Sequence, residues 1–211
     1  MAHYDLEEQE QLDEMKAWWR MYGNLITGVL AALALVALSW QGWNWYQRTQ
    51  GAEAAAIYAA FDQAMDAGDA QRAKATAGEL ADKYGRTSYA PLAALRSAQQ
   101  AFDSGDLKTA RVQLNWVVDH GKHEVRDLAR LRLAAVMLDE KAYDEALSQL
   151  AASHAAAFDA RYLDLKGDVL AAQGKKAEAR TAYLAAKEKL GTQGGLTVEL
   201  LKQKIDSLGE A

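Results

Sequence analysis

The stretch WWRMYGNLITGVLAALALVALSWQGWNWYQRTQ, residues 18–50, decides how the chain is organised. It contains no charged residue between Arg20 and Arg48, and its most apolar part runs over residues 25–45. The hydrocarbon core of a bilayer is about 30 Å thick, so roughly 20 apolar helical residues cross it. A core helix of a soluble domain normally carries a polar face, whereas residues 29–38 are apolar on all sides. The stretch is therefore predicted to be a transmembrane helix.

Aromatic side chains flank the apolar stretch at both ends. They are Trp18, Trp19 and Tyr22 before it, and Trp40, Trp43, Trp45 and Tyr46 after it. Tryptophan and tyrosine favour the interface between membrane and water, where an apolar ring meets a hydrated edge. A helix rises about 36 Å from Trp19 to Trp43, which is close to the distance between the two interfaces. All of these aromatic residues are predicted to lie at the membrane interfaces.

The residues before the stretch distinguish an anchor from a cleaved leader. A signal peptide has a basic start and an apolar core of about 7–15 residues. The first twenty residues here hold six acidic and two basic side chains, so an uncleaved anchor is predicted. Lys16 and Arg20 precede the span and only Arg48 follows it closely, so the positive-inside rule places the N-terminus in the cytoplasm. The predicted divisions are a cytoplasmic tail (1–22), a transmembrane helix (23–46) and a soluble domain (47–211) across the membrane.

The composition limits the classes of function. The chain has 211 residues and a net charge of −5, which argues against a nucleic-acid partner. It has no cysteine, so disulfides, thiolate catalysis and cysteine-bound zinc are excluded. A single proline and abundant alanine, leucine, lysine and glutamate predict an all-α protein.

Four short segments of the soluble part share one pattern. They are DAGDAQRA (66–73), DSGDLKTA (103–110), DEKAYDEA (139–146) and AQGKKAEA (172–179). In each, a glycine or lysine precedes an alanine by five positions, and these alanines are 37, 36 and 33 residues apart. A tetratricopeptide repeat, which is a helix–turn–helix unit, recurs about every 34 residues. The soluble domain is therefore predicted to be a tetratricopeptide-like solenoid of helical hairpins.

Small residues at fixed positions of this pattern are predicted to let paired helices approach closely. The predicted packing residues are the small Ala73, Ala98, Ala110, Ala134, Ala146, Gly167, Ala179 and Ala186, together with Tyr183 at the aromatic position of the last repeat. Each first helix is expected to end at a turn, where glycine suits a left-handed C-cap. The turn residues are Gly68, Gly105, Lys141 and Gly174. The first repeat departs from the pattern, because Phe61 stands where a small residue is expected.

The patterns predict eight helices, near 52–67, 70–83, 89–104, 107–119, 124–139, 142–154, 159–173 and 176–189. GTQGG (191–195) interrupts the chain, and a last helix follows with Leu196, Leu200, Leu201, Ile205 and Leu208 on one side. We expect this helix to cap the solenoid with a polar outer face. The predicted fold is all-α, with one N-terminal transmembrane helix, the helical-hairpin solenoid and the C-terminal capping helix. An ordinary helical bundle with accidental periodicity is the alternative.

The sequence offers no catalytic arrangement. His120 and His123 are spaced for metal binding, but they fall in a predicted loop and no carboxylate pattern completes a site. No enzymatic activity is predicted, and no catalytic residue, metal ligand or cofactor-binding residue is assigned.

A basic stretch includes Lys122, Arg126, Arg130 and Arg132. Its expected state is a solvated face with local ion pairs to acidic neighbours such as Asp127. A docking patch for an acidic partner is the alternative.

These features together resemble a known family. The short acidic start, WWRMYGN (18–24), GWNWYQ (42–47) and the degenerate repeats are similar to the ancillary subunit of the SecYEG translocon of Gram-negative bacteria. YAPLAALRSAQQAFDSGDLKTARVQLNWVV (89–118) and ARYLDLKGDVLAAQGKKAEARTAYLAA (160–186) match its repeats most closely. The resemblance implies a single-span inner-membrane protein with a periplasmic repeat domain. The implied partners are SecYEG and a membrane-anchored periplasmic chaperone of the peptidyl-prolyl isomerase class, and the implied role is to assist proteins leaving the translocon.

The residues alone leave the partner open. Stacked helix pairs make a concave surface suited to peptide or helix binding, which favours an interaction protein. A translocon-associated subunit and an assembly or scaffold factor for another inner-membrane or envelope complex fit these features equally well. An enzyme would require an activity that depends on a polar residue such as His120 or His123.

Overall fold

The computed structural model describes residues 6–209, and every regular element in that range is helical. The α-helices are α1 (Leu6–Asp66), α2 (Ala70–Tyr84), α3 (Tyr89–Asp103), α4 (Leu107–His120), α5 (His123–Asp139), α6 (Tyr143–Leu150), α7 (Asp159–Ala172), α8 (Lys176–Leu190) and α9 (Gly195–Ser207). Short 3₁₀ turns occupy Ala156–Phe158 and Gly191–Gly194. The chain divides into two compact units between Ala52 and Glu53, within α1. The all-α prediction is confirmed.

The same turn closes each helical pair of the second unit. Its left-handed residue has a φ of 71° at Gly68, 81° at Gly105, 61° at Lys141 and 78° at Gly174. The predicted turn residues are confirmed, including the lysine. After the first turn, Oδ1 of Asp69 accepts a hydrogen bond from the main-chain N–H of Arg72 at 3.0 Å and so caps α2. Asp106 caps α4 in the same way, through the N–H of Thr109 at 3.0 Å.

Within each helical pair, a small residue on one helix packs against a larger residue on the other, along the line of contact called the seam below. In the last pair Gly167 of α7 faces Tyr183 of α8, and a methyl group on Gly167 would overlap the tyrosine ring. The same two positions hold Ala98 and Leu114 in the second pair and Ala134 and Leu150 in the third. In the first pair they hold Phe61 and Ala77, in the reverse order, and Phe61 is completely buried. The departure of the first repeat is therefore an exchange of volumes, which preserves a filled seam.

Two helix boundaries were predicted wrongly. The helix expected to begin near residue 52 is the last part of α1, which runs without a break from Leu6 to Asp66, because residues 47–51 contain no proline and one glycine does not end a helix. In addition, α6 ends at Leu150 rather than near residue 154. The side chain of Asp127 in α5 is only 6% exposed, and its Oδ2 accepts the main-chain N–H of Ala155 at 2.9 Å. The main-chain carbonyl of Asp127 also accepts the hydroxyl of Tyr162, at 2.8 Å. These long-range hydrogen bonds hold the chain after α6 in a non-helical conformation. They override the helix propensity of its alanine-rich sequence.

The capping helix α9 has two apolar faces instead of the single one predicted. Leu201, Ile205 and Leu208 are buried, but Leu196 is 81% exposed and Leu200 is 51% exposed. Successive helical residues are about 100° apart around the axis, so Leu196 and Leu200 share a face well away from the buried one. The expectation of a wholly polar outer face is wrong for the first turns of α9.

Candidate functional site

Helix α1 contains a segment that is long and apolar enough to cross a membrane, within residues 11–66. Only 6% of its apolar window is buried inside the chain, unlike the core helix of a soluble protein. Its exposed large side chains include Leu25, Val29, Leu30, Leu33, Leu35, Val36 and Leu38, each more than half exposed. An exposed apolar surface of this length is typical of a helix that crosses a membrane.

The predicted interface residues form two aromatic groups along this helix. Trp18, Trp19, Tyr22, Trp40, Trp43, Trp45 and Tyr46 are all exposed. The Trp18 ring lies 5.7 Å from the ring of Tyr22, and the Trp43 ring lies 6.2 Å from that of Tyr46. The Trp19 indole packs over Gly23, where an added Cβ would approach its Nε1 to 3.1 Å. Their position at the membrane interface stays a prediction.

The predicted packing residues all lie inside the repeat domain. Ala73, Ala98, Ala110, Ala134, Ala146, Gly167, Ala179, Tyr183 and Ala186 are buried. All except Gly167 fall in three apolar clusters, one of the first pair with the start of α3, one from α3 to α7 and one from α7 to α9. The sequence pattern did not indicate the polar contacts that join these helices.

A charged cluster joins α9 to α7 and α8. Nζ of Lys204 lies 2.6 Å from Oδ1 of Asp164 and 2.9 Å from Oδ2 of Asp168, and it sits 5.4 Å from the ring centre of Tyr183. The Tyr183 hydroxyl donates to Oδ1 of Asp168 at 2.8 Å. Burial of the Tyr183 hydroxyl is the main cause that raises its pKa, and the hydrogen bond to Asp168 raises it further. Burial also raises the pKa of Asp164 although Lys204 opposes it, so the lysine stabilises carboxylates that are partly removed from water.

A groove of about 620 Å³ lies between α2, α3 and α4. Its lining consists mainly of small side chains, including Ala73, Ala77, Gly78, Ala81, Ala90, Ala94 and Ala101, with Val112 and Trp116 from α4. Small side chains leave helix backbones close to the surface, so the groove can receive a partner helix or an extended chain. Sequence reasoning predicted a concave surface but could not name these residues.

A smaller cleft of about 180 Å³ lies between α3 and α5. Its walls are Ala98, Phe102, Leu114, Ala135 and Val136, with the side chains of Gln99 and Arg132 beside them. Phe102 is 36% exposed, so part of its ring faces the cleft. The Gln99 amide nitrogen donates to Oδ1 of Asp103 at 2.8 Å. The cleft therefore combines an apolar wall with one cationic side chain.

The basic stretch does not form the predicted solvated face with local ion pairs. Nε of Arg126 donates to the carbonyl of Gly121 at 3.0 Å, and Nη1 of Arg130 donates to the carbonyl of Ser153 at 3.3 Å. Asp127, the expected acidic partner, is buried and binds main chain instead. Two of the arginines thus tie loops to α5, while Arg132 lines the cleft between α3 and α5.

The two histidines of HGKH lie on different helices. His120 is the last residue of α4, and its ring stacks on Trp116 with 4.5 Å between ring centres. Its Nδ1 lies 2.8 Å from the carbonyl oxygen of Trp116. His123 is the first residue of α5. His120 thus packs locally against its own helix.

Comparison with known proteins relates both units to one group of proteins. The family described as tetratricopeptide repeat-like domain matches residues 16–210, which confirms the predicted repeat class. An ancillary SecYEG translocon subunit of Neisseria gonorrhoeae is 36% identical over 208 residues, covering 96% of this chain and 98% of the relative. The subunit of the same name in Haemophilus influenzae is 29% identical over 206 residues, covering 97% and 99%. In Escherichia coli K12 it is 28% identical over 206 residues, covering 95% and 96%.

Proposed function

The chain belongs to the family of ancillary SecYEG translocon subunits, and from this membership we propose that it is a non-enzymatic inner-membrane protein that associates with the SecYEG translocon. The observation that carries the proposal is the extent of the similarity, since 96% of the chain aligns with the Neisseria gonorrhoeae relative. Such an alignment includes both the apolar helix and the repeats. The two parts are therefore proposed to act as one subunit.

The proposed topology has a single uncleaved span at about residues 23–46, a cytoplasmic tail at 1–22 and a periplasmic repeat domain at 47–211. The basic residues before the span and the aromatic groups at its ends support this arrangement. The span would hold the subunit beside the membrane-embedded channel. The repeat domain would then work where exported chains emerge.

The proposed role of the repeat domain is to link the translocon to a membrane-anchored periplasmic chaperone of the peptidyl-prolyl isomerase class during protein export. Two open surfaces support a docking function, the groove among α2, α3 and α4 and the cleft between α3 and α5. Repeat solenoids use such surfaces to bind peptides and helices.

Affinity purification tests the proposal. The full-length protein is isolated from membranes in mild detergent, and the proteins that accompany it are identified by mass spectrometry. We expect translocon subunits and a periplasmic chaperone. Two exchange variants, one with an unrelated span and one with an unrelated soluble domain, show which part retains each partner. Recovery of a different membrane complex without any translocon subunit would contradict the proposal and support an assembly or scaffold factor for that complex.

A further inference from the structure

Two arginines occupy the same position in consecutive helical pairs. Arg96 of α3 and Arg132 of α5 are 36 residues apart, as are the turn-following alanines Ala110 and Ala146 of their pairs. The neighbouring helix presents Asp62 to Arg96. The residue equivalent to Asp62 one repeat later, 37 positions on, is Gln99. The interface between α3 and α5 therefore offers an amide where the interface between α1 and α3 offers a carboxylate.

This exchange leaves the two guanidinium groups in different electrostatic states. Arg96 forms ion pairs with Asp62 and with Asp66, the latter at 2.6 Å. Among the side chains described between residues 11 and 209, no carboxylate lies within 4.0 Å of the nitrogens of Arg132. Asp103, the repeat equivalent of Asp66, instead accepts the hydrogen bond of Gln99. Arg132 is thus a partly buried cation without an ion-pair partner among the described side chains.

The cleft beside Arg132 has room for one apolar side chain. Its volume is about 180 Å³, and an apolar protein cavity of about 150 Å³ holds one benzene molecule. Phe102 offers the exposed part of its ring at this cleft. Within the described residues, only the amide nitrogen of Gln99 is hydrogen-bonded, to Asp103, and its Oε1 atom is open to accept a further bond.

We infer that the cleft between α3 and α5 binds a polypeptide segment of a partner protein in which an apolar side chain stands next to an aspartate or glutamate. The apolar side chain enters the cleft against Phe102. The neighbouring carboxylate accepts a charge-assisted hydrogen bond from Arg132, and Gln99 accepts a main-chain N–H of the segment. This inference rests on the proposed docking function and specifies the chemistry of one docked segment.

Peptide binding to the full-length protein in lipid nanodiscs tests the inference. The probe is a fluorescein-labelled Gly-Ser-Phe-Glu-Ser-Gly peptide, compared with the same peptide carrying Gln or Lys in place of Glu. Fluorescence anisotropy is expected to show binding of the Glu peptide, with at least about tenfold weaker binding of the other two. Arg132→Gln is expected to remove this preference. Arg161→Gln, at an exposed arginine of α7 outside the cleft, removes the same charge and is expected to leave binding unchanged.

Two further variants separate recognition from folding. Gln99→Glu restores a carboxylate opposite Arg132, as Asp62 and Asp66 stand beside Arg96, so it is expected to weaken peptide binding about tenfold while the protein stays folded. Arg132→Glu is expected to favour the Lys peptide.

Three results would overturn the inference: no binding of the Glu peptide to the wild type, equal binding of the Glu and Gln peptides, or equal effects of Arg132→Gln and Arg161→Gln. Loss of the preference for the Glu peptide in Arg132→Gln, while translocon subunits still co-purify with that variant, would support the cleft's role and leave the proposed function intact. Peptide binding with no translocon subunit recovered would overturn the proposed function alone.

Discussion

At the scale of single residues, the seam between α7 and α8 depends on the missing side chain of Gly167. A methyl group there would overlap the ring of Tyr183, and both residues are buried. We expect Gly167→Ala to lower the free energy of unfolding by about 1–3 kcal/mol, because a packed seam absorbs extra volume only with strain. Urea denaturation of the full-length protein, followed by circular dichroism, measures the change.

Combining this substitution with Tyr183→Leu tests its cause. We expect the cost of Gly167→Ala to shrink in the Tyr183→Leu background, since alanine faces leucine at these positions in the second pair. An equal cost in both backgrounds would show that the tyrosine ring is not responsible. Gly78→Ala is the matched control, because the space around Gly78 in α2 is open and alanine there favours the helix.

Two buried tyrosines make stability depend on alkaline pH. Burial raises the pKa of Tyr162 from 10.0 to about 12, and the pKa of Tyr183 is also raised. Between about pH 10 and 12 the unfolded chain loses these protons while the folded chain keeps them. The contribution of these tyrosines to the free energy of unfolding is therefore fully present below pH 10 and is lost as the pH rises, with a loss on the order of 2 kcal/mol from Tyr162.

Denaturation curves collected from pH 8 to about pH 12 check this dependence. We expect Tyr162→Phe to be less stable at pH 8, because the carbonyl of Asp127 loses its donor. Its stability should then decline less steeply than that of the wild type above pH 10. Identical slopes for the wild type, Tyr162→Phe and Tyr183→Phe would contradict the assignment.

Residues that repeat could be predicted from the sequence, and residues that pair across the fold could not. Ala110, Ala146 and Ala179 stand out because each follows a turn by five positions. Nothing local marks Asp127 as buried, since its partners lie 28 and 35 positions away. The cleft between α3 and α5 could not be predicted for the same reason, because its two walls come from different repeats.

At the scale of elements, the C-terminal helix α9 is held by both apolar and ionic contacts. Lys204 lies between two carboxylates of α7, and its side chain is 35% exposed. Lys204→Met would leave Asp164 and Asp168 close together without their cation. We expect α9 to open more often, with amide exchange in residues 195–207 faster by about tenfold.

Hydrogen–deuterium exchange with mass spectrometry provides the measurement. Lys202→Met is the matched control, since within the described part of the chain Lys202 pairs only with Glu199, on the surface of the same helix. We expect this control to exchange like the wild type. Equal exchange in Lys204→Met and Lys202→Met would show that apolar packing alone fixes α9.

Helix positions could be predicted closely where a turn signal marked both ends. Glycine–aspartate at 68–69 and at 105–106 fixed the start of α2 and of α4. The end of α6 was missed because alanine-rich sequence after Leu150 favours helix and the competing bond comes from another helix. The apolar residues of α9 were assigned to one face although their spacing places them on two.

At the scale of the whole molecule, the proposed topology predicts which parts are accessible from outside the cell membrane. The chain has no cysteine, so single cysteines report without background. We expect Gln203→Cys to react with a membrane-impermeant maleimide on intact spheroplasts. Gln11→Cys should react only after the membrane is permeabilised, because the tail is proposed to be cytoplasmic.

Protection of Gln203→Cys together with labelling of Gln11→Cys on intact spheroplasts would reverse the topology. Labelling of Gln203→Cys in a soluble fraction of shorter protein would show that the segment is a cleaved leader. Both positions are exposed in the described structure, so burial does not account for protection.

The left-handed turns that close each pair also bear on when the domain can fold. Each turn joins helices that are adjacent in sequence, so the contacts of the repeats have a low relative contact order, which is typical of fast folding. A repeat needs only its neighbours to be stable. A domain that crosses a membrane with its N-terminal end first can therefore assemble pair by pair as it emerges, before α9 has been delivered.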